Sequence, residues 1–65
     1  MTSSFQLYEF ASNHTRYLGS HTSRGLAEQR AEEYVSGPLM WAEVEAGVWD
    51  AESGDRAFRI REVTP

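Results

Sequence analysis

Residues 22–38 read Thr-Ser-Arg-Gly-Leu-Ala-Glu-Gln-Arg-Ala-Glu-Glu-Tyr-Val-Ser-Gly-Pro, and this stretch decides the fold. Thr22 or Ser23 can accept hydrogen bonds from the first free N–H groups of a helix. Gly37-Pro38 supplies a left-handed terminator and a residue that cannot continue the helix. The spacing therefore predicts a helix over about residues 23–36. At about 100° per residue, Leu26, Ala27, Ala31, Tyr34 and Val35 fall within one half of the wheel, and Glu28, Gln29, Glu32 and Glu33 occupy the other. Two alanines within the apolar arc let such a helix lie close to a sheet. Arg30 falls in the same arc and has to snorkel along it or meet an acid.

On either side of this helix the pattern changes to short β-prone runs. Residues 5–11 (FQLYEFA) are aromatic-rich and flanked by serines, residues 15–19 (TRYLG) are β-prone, and Ser12-Asn13-His14 between them is turn material. Gly19 is expected to end the second run. Beyond Pro38, residues 39–44 (LMWAEV) and 48–51 (VWDA) flank Glu45-Ala46-Gly47, a plausible hairpin turn. Ser53-Gly54-Asp55 marks the next turn. Residues 57–63 (AFRIREV) alternate most clearly, with Phe58 and Ile60 pointing one way and Arg59 and Arg61 the other. The expected architecture is α+β, one domain over residues 1–65, in the order ββαβββ. It is an antiparallel sheet with one helix packed on one face.

Composition narrows the function. A chain of 65 residues fits one small domain, whose core rarely supplies more than about 3–5 kcal/mol without disulfides, a metal or a partner. There is no cysteine, which removes disulfides and thiolate metal sites together. The N-terminus has neither the basic nor the apolar segment of a signal peptide. No apolar run approaches the ~20 residues of a membrane span. A cytoplasmic protein is expected. The net charge of −4 argues against binding to phosphate backbones, which needs clustered positive charge. All six basic residues are arginine, as a GC-rich coding sequence would produce.

No catalytic constellation emerges, and the chain is expected not to be an enzyme. His14 and His21 are the two histidines; a metal site needs three or four ligands, so neither metal nor other cofactor is expected. Serines, threonines and histidines crowd residues 12–23, but without a nucleophile elbow or an orienting third group. The helix N-terminus, with Arg24 and His21 nearby, could take an anion; capping by Thr22 or Ser23 is the plainer use. Arg56, Arg59 and Arg61 near the last strand could meet nucleic acid beside exposed rings, though pairing with Glu43, Glu45 or Glu52 explains them more simply.

Aromatic content points elsewhere. One helix cannot roof a five-stranded sheet, yet the chain carries eight aromatic residues. In the first strand Phe5 and Leu7 share one face while Tyr8 and Phe10 share the other. In the third, Leu39 and Trp41 oppose Met40, Ala42 and Val44. The surplus rings are buried by sheet coiling, by a second copy, or by another protein, since large exposed apolar patches mark contact sites. The leading expectation is a protein–protein interaction module, alone or as a homodimer, using the helix-free sheet face, with Tyr8, Phe10, Trp41 and Trp49 at the interface. The alternative is an acidic accessory inhibitor that engages a nucleic-acid-handling protein of a host. It would act through Glu43, Glu45, Asp50, Glu52 and Asp55, a stretch with no basic residue.

The glycines and aromatics of Gly37-Pro38-Leu39-Met40-Trp41, Gly47-Val48-Trp49-Asp50-Ala51 and Phe58-Arg59-Ile60, with Tyr17-Leu18-Gly19 ahead of an Ala/Glu-rich helix, give a recurring spacing. It resembles that of short proteins encoded by high-GC actinobacteria and their phages. The likeness spans most of the chain and carries over neither a function nor any site residue. For a phage protein it implies an accessory role in binding a host component.

Overall fold

The computed structural model describes residues 2–65; Met1, at the head of the N-terminal stretch read above, lies outside them. The elements are β1 (Ser4–Ala11), β2 (His14–His21), α1 (Arg24–Val35), β3 (Ala42–Glu45), β4 (Val48–Ser53) and β5 (Arg56–Val63). This is the ββαβββ order. The strands form one five-stranded sheet in the order β2-β1-β5-β4-β3, antiparallel at every pairing. The first and last strands therefore meet in the middle, and α1 carries the chain from one sheet edge to the other across a single face.

Local chemistry sets the helix ends. Ser23 has extended backbone angles and its Oγ accepts from the Leu26 N–H at 3.2 Å. Replacing Ser23 by Ala is expected to cost about 1 kcal/mol, read as a lower urea midpoint with an unchanged slope. The left-handed terminator is Ser36 (φ 58°) and not the adjacent Gly37. The Gly37 N–H nevertheless closes the end by donating to the Glu32 carbonyl at 3.3 Å. Ala27 and Ala31 are the buried helix residues. Without bulk at these positions the helix sits down on β1, β2 and β5.

Every strand differs from its expected bounds, β4 running on to Ser53, a residue expected in the turn, and the physical reason is plain for β2 and β3. Gly19 does not end β2. It takes φ 108° at a register shift, so that Gln6 pairs Ser20 while Tyr8 pairs Tyr17. One residue too many on β2 is the geometry of a bulge, and a glycine tolerates the positive φ. Residues 38–41 are not strand. The Leu39 N–H donates instead to the Glu32 carboxylate at 3.1 Å, which ties the segment to the helix and folds Leu39 and Trp41 against the core.

That segment explains how one helix suffices. The fully buried centre comprises Leu7, Phe58 and Ile60 from the sheet with Ala27 and Ala31 from the helix. Phe5, Leu18, Tyr34, Val35, Leu39, Trp41 and Trp49 pack around it. The roof is thus helix plus loop plus indoles. Leu26, assigned to the apolar arc, is 49% exposed because it lies beyond the alanine stripe. Arg30 is also outside the core and pairs with Glu33 at 3.2 Å.

Candidate functional site

Strand pairing determines which side chains share the helix-free face, because directly paired residues project to the same side. The central row runs Tyr17, Tyr8, Arg59, Asp50, Ala42 across all five strands. One flanking row is Thr15, Phe10, Ala57, Glu52, and the other is Ser20, Gln6, Arg61, Val48, Glu45. The face therefore has an uncharged aromatic half on β2 and β1 and a charged half on β5 and β4.

Its middle is held rigid. Arg59 donates from Nε to Asp50 Oδ1 at 2.8 Å and from Nη2 to Oδ2 at 2.9 Å, a planar fork on a planar carboxylate. These hydrogen bonds, and then the Asp50 charge, raise the Arg59 pKa above its ordinary value. The same guanidinium lies 6.0 Å from the Phe10 ring centre. Tyr8 and Tyr17 are tilted against one another at 5.4 Å, and the Tyr8 hydroxyl donates to Gln6 Oε1 at 2.7 Å. Tyr17 is 56% and Phe10 37% exposed. Tyr8, Phe10, Thr15, Arg59 and Arg61 line a hollow of about 270 Å³. A second, of about 420 Å³, lies among Met40, Ala42, Val44, Asp50, Ala51 and Glu52.

The four aromatics expected together are divided. Tyr8 and Phe10 are on the helix-free face. Trp49 pairs with Ile60, which pairs with Leu7, so its indole belongs to the helix side, where Phe5 (6.3 Å) and the Arg24 guanidinium (4.9 Å) meet it. Trp41 packs on the helix side as well. Tyr17, which the sequence reading left out, takes their place beside Tyr8. The hairpin turn is the reason: Ala11 pairs with His14 across the two residues Ser12-Asn13, and the unbroken register from there sets Tyr17 against Tyr8, the Gly19 bulge lying beyond it.

The five acids are also dispersed. Asp50 is bound by Arg59. Glu43 pairs with Trp49 in the helix-side row and accepts from the Gly47 N–H at 3.4 Å. Glu45 and Glu52 are on the helix-free face, and Asp55 sits in the β4–β5 turn. The arginines divide too, Arg59 and Arg61 lying on the helix-free face and Arg56 on the other. Arg59 chooses Asp50, its directly paired neighbour, over Glu43, Glu45 or Glu52.

The domain also holds a buried carboxylate to which the sequence reading assigned no role. Glu9 is 1% exposed. Its Oε1 accepts from Arg16 Nε and Nη2, each at 2.7 Å, and its Oε2 lies 3.4 Å from Arg56 Nη1. His14 Nε2 is 3.8 Å away. Arg16 and Arg30 stack on Tyr34 at 5.7 and 5.5 Å, and Arg56 donates to the Tyr34 carbonyl at 3.5 Å. The signal was available in FQLYEFA: Glu9 has the parity of Phe5 and Leu7, which places it under the helix side. The arrangement ties β1, β2, β5 and α1 together at one end of the domain. Among the described residues no three histidine, aspartate or glutamate side chains converge as metal ligands would, and no helix is long and apolar enough to cross a membrane. No protein-family model, curated protein or solved structure matches the chain.

Proposed function

We propose that this domain is a non-enzymatic protein–protein interaction module that works through the helix-free face of its sheet. The observation that carries the reading is the grouping of Tyr8, Phe10 and Tyr17 on that face beside the Arg59–Asp50 fork. Tyrosine and arginine dominate the energetic centres of interfaces, and an aromatic ring has little rotamer freedom to lose when a partner covers it. Arg59, already oriented by Asp50, has less still to lose. The dispersal of the acids over two faces and a turn supports this reading over an acidic decoy for a nucleic-acid-binding protein. Its proposed setting is the cytoplasm.

The test is solution mass by light scattering on a sizing column, for the parent chain and for a Phe10→Ser/Tyr17→Ser variant. Both positions are exposed, so the fold should tolerate the change. At high concentration the parent should exceed its 7.4 kDa chain mass, and should still do so at about 0.5 M salt, where the Debye length is only a few ångströms. The variant should return to the monomer. Association that persists unchanged in the variant moves the contact off this face and overturns the reading.

A further inference from the structure

We propose that the occupant of this face is a second copy of the chain, related by a two-fold axis running along the seam between β1 and β5. The inference rests on the interaction reading above and adds the partner and the geometry. In a two-fold contact each residue meets a second that meets it in return, so the face must complement itself. An axis lying between two stacked sheets and parallel to their strands reverses strand order but keeps each row at its own level. Placed over the β1/β5 seam, it sets β1 against the partner's β5 and β2 against the partner's β4, while β3 overhangs the rim.

The pairing registers then dictate which side chains face each other. Tyr8 meets the partner's Arg59, a ring under a guanidinium. Tyr17 meets the partner's Asp50, a hydroxyl opposite a carboxylate. Phe10 meets the partner's Ala57, so a large side chain falls on a small one. Thr15 faces the partner's Glu52, and Gln6 the partner's Arg61. Every charged residue of β5 and β4 in these rows lands opposite an uncharged residue of β1 or β2.

Axes centred on one strand or perpendicular to the strands fail on charge or overlap, and an axis over the β5/β4 seam leaves β2, with Tyr17, uncovered. Centred on β5, the axis puts Arg59 on Arg59 and Arg61 on Arg61. Centred on β1, it leaves β4 with nothing beneath it. An axis perpendicular to the strands sets β5 on β5 and the acids of β4 on one another. Juxtaposed like charges select against such arrangements. Sheets stacked face to face cross at about 30°, so closest contact falls on the central row of Tyr17, Tyr8, Arg59 and Asp50. Four overlapping strands span about 19 Å and an eight-residue strand about 26 Å, which gives roughly 500 Å² of flat area per copy. Roughly 1,000 Å² in all is at the small end of specific interfaces, and the dimer is a weak one that forms with rising concentration.

Cross-linking reads the axis directly, since the chain has no cysteine of its own. Thr15→Cys and Glu52→Cys chains are prepared separately, both at exposed positions, and treated with a short bis-maleimide alone and as an equal mixture. The seam axis stacks residue 15 on the partner's residue 52 and separates like sites by three strand spacings, about 14 Å sideways. The mixture should therefore give at least about five times the linked dimer of either chain alone. Linking that is as efficient in the single variants as in the mixture overturns the seam axis and leaves the face reading standing. A dimeric mass with no linking in any sample overturns both. A chain that stays monomeric at millimolar concentration overturns the second copy as occupant.

Discussion

Phe58→Ala is expected to leave a chain that does not fold at 25 °C. Phe58 is the largest fully buried side chain. It stands on β5, the central strand, and belongs to the one cluster that joins sheet to helix through Leu7, Ile60, Ala27 and Ala31. Truncating a buried phenylalanine costs about 3–5 kcal/mol, because its transfer free energy is lost and a cavity remains. That equals the whole stability of about 3–5 kcal/mol available to a core of this size. The alanines of α1 cannot fill the gap, and the sheet cannot close on it without breaking the β1–β5 and β4–β5 ladders. Phe58→Leu keeps most of the volume and should lose only about 1–2 kcal/mol. Circular dichroism and indole emission against urea separate the two, since Trp41 and Trp49 pack against the same cluster. An alanine variant with the parent's urea midpoint would show that Phe58 is not the centre of the core.

Arg16→Met should destabilise the domain more than Glu9→Gln, although both break the same ion pair. The asymmetry follows from exposure. Arg16 is half exposed and Glu9 is buried. Removing the arginine leaves a carboxylate out of water, with Arg56 at 3.4 Å as its remaining charged neighbour and the His14 imidazole 3.8 Å away. Breaking a buried pair in this way costs about 3–5 kcal/mol; the surviving contact with Arg56 reduces this to about 2–3 kcal/mol. Glu9→Gln keeps an acceptor oxygen and lets both guanidinium groups turn to solvent, for a loss of about 1–2 kcal/mol. The combined variant should be less destabilised than the sum by about 1 kcal/mol, as coupled neighbours are. Urea midpoints for the three chains decide it, and a Glu9→Gln loss exceeding that of Arg16→Met would contradict the buried geometry.

These two residues also show what could be read without a structure. The alternation in AFRIREV assigns Phe58 to the core, as observed, because a strand's period of two depends on nothing but the chain itself. The same period in FQLYEFA places Glu9 beside Phe5 and Leu7. What it cannot supply is the identity of the two arginines that make burial tolerable. Arg16 and Arg56 reach Glu9 from β2 and β5, and only the strand order 2-1-5-4-3 brings those two strands to either side of β1.

The aromatic face divides along the same line. Tyr8 and Phe10 were assignable to the side opposite Leu7 from local parity. The other members required knowledge of register. A turn of two residues where three were expected puts Tyr17 on the helix-free side, and the attachment of Leu39 to Glu32 ends the strand pattern in which Trp41 was counted. Trp49 follows Ile60, its partner across the ladder, and not the polarity of its own short run. The element order, the helix with its serine cap, and the inside and outside of β1 and β5 were legible in the chain alone, because all of them arise from interactions within a few residues. Strand order, the bulge in β2, the choice of Asp50 for Arg59 and the composition of the helix-free face were decided by tertiary structure. Each depends on pairing between segments distant in the chain, where a shift of one residue exchanges the two faces of the sheet.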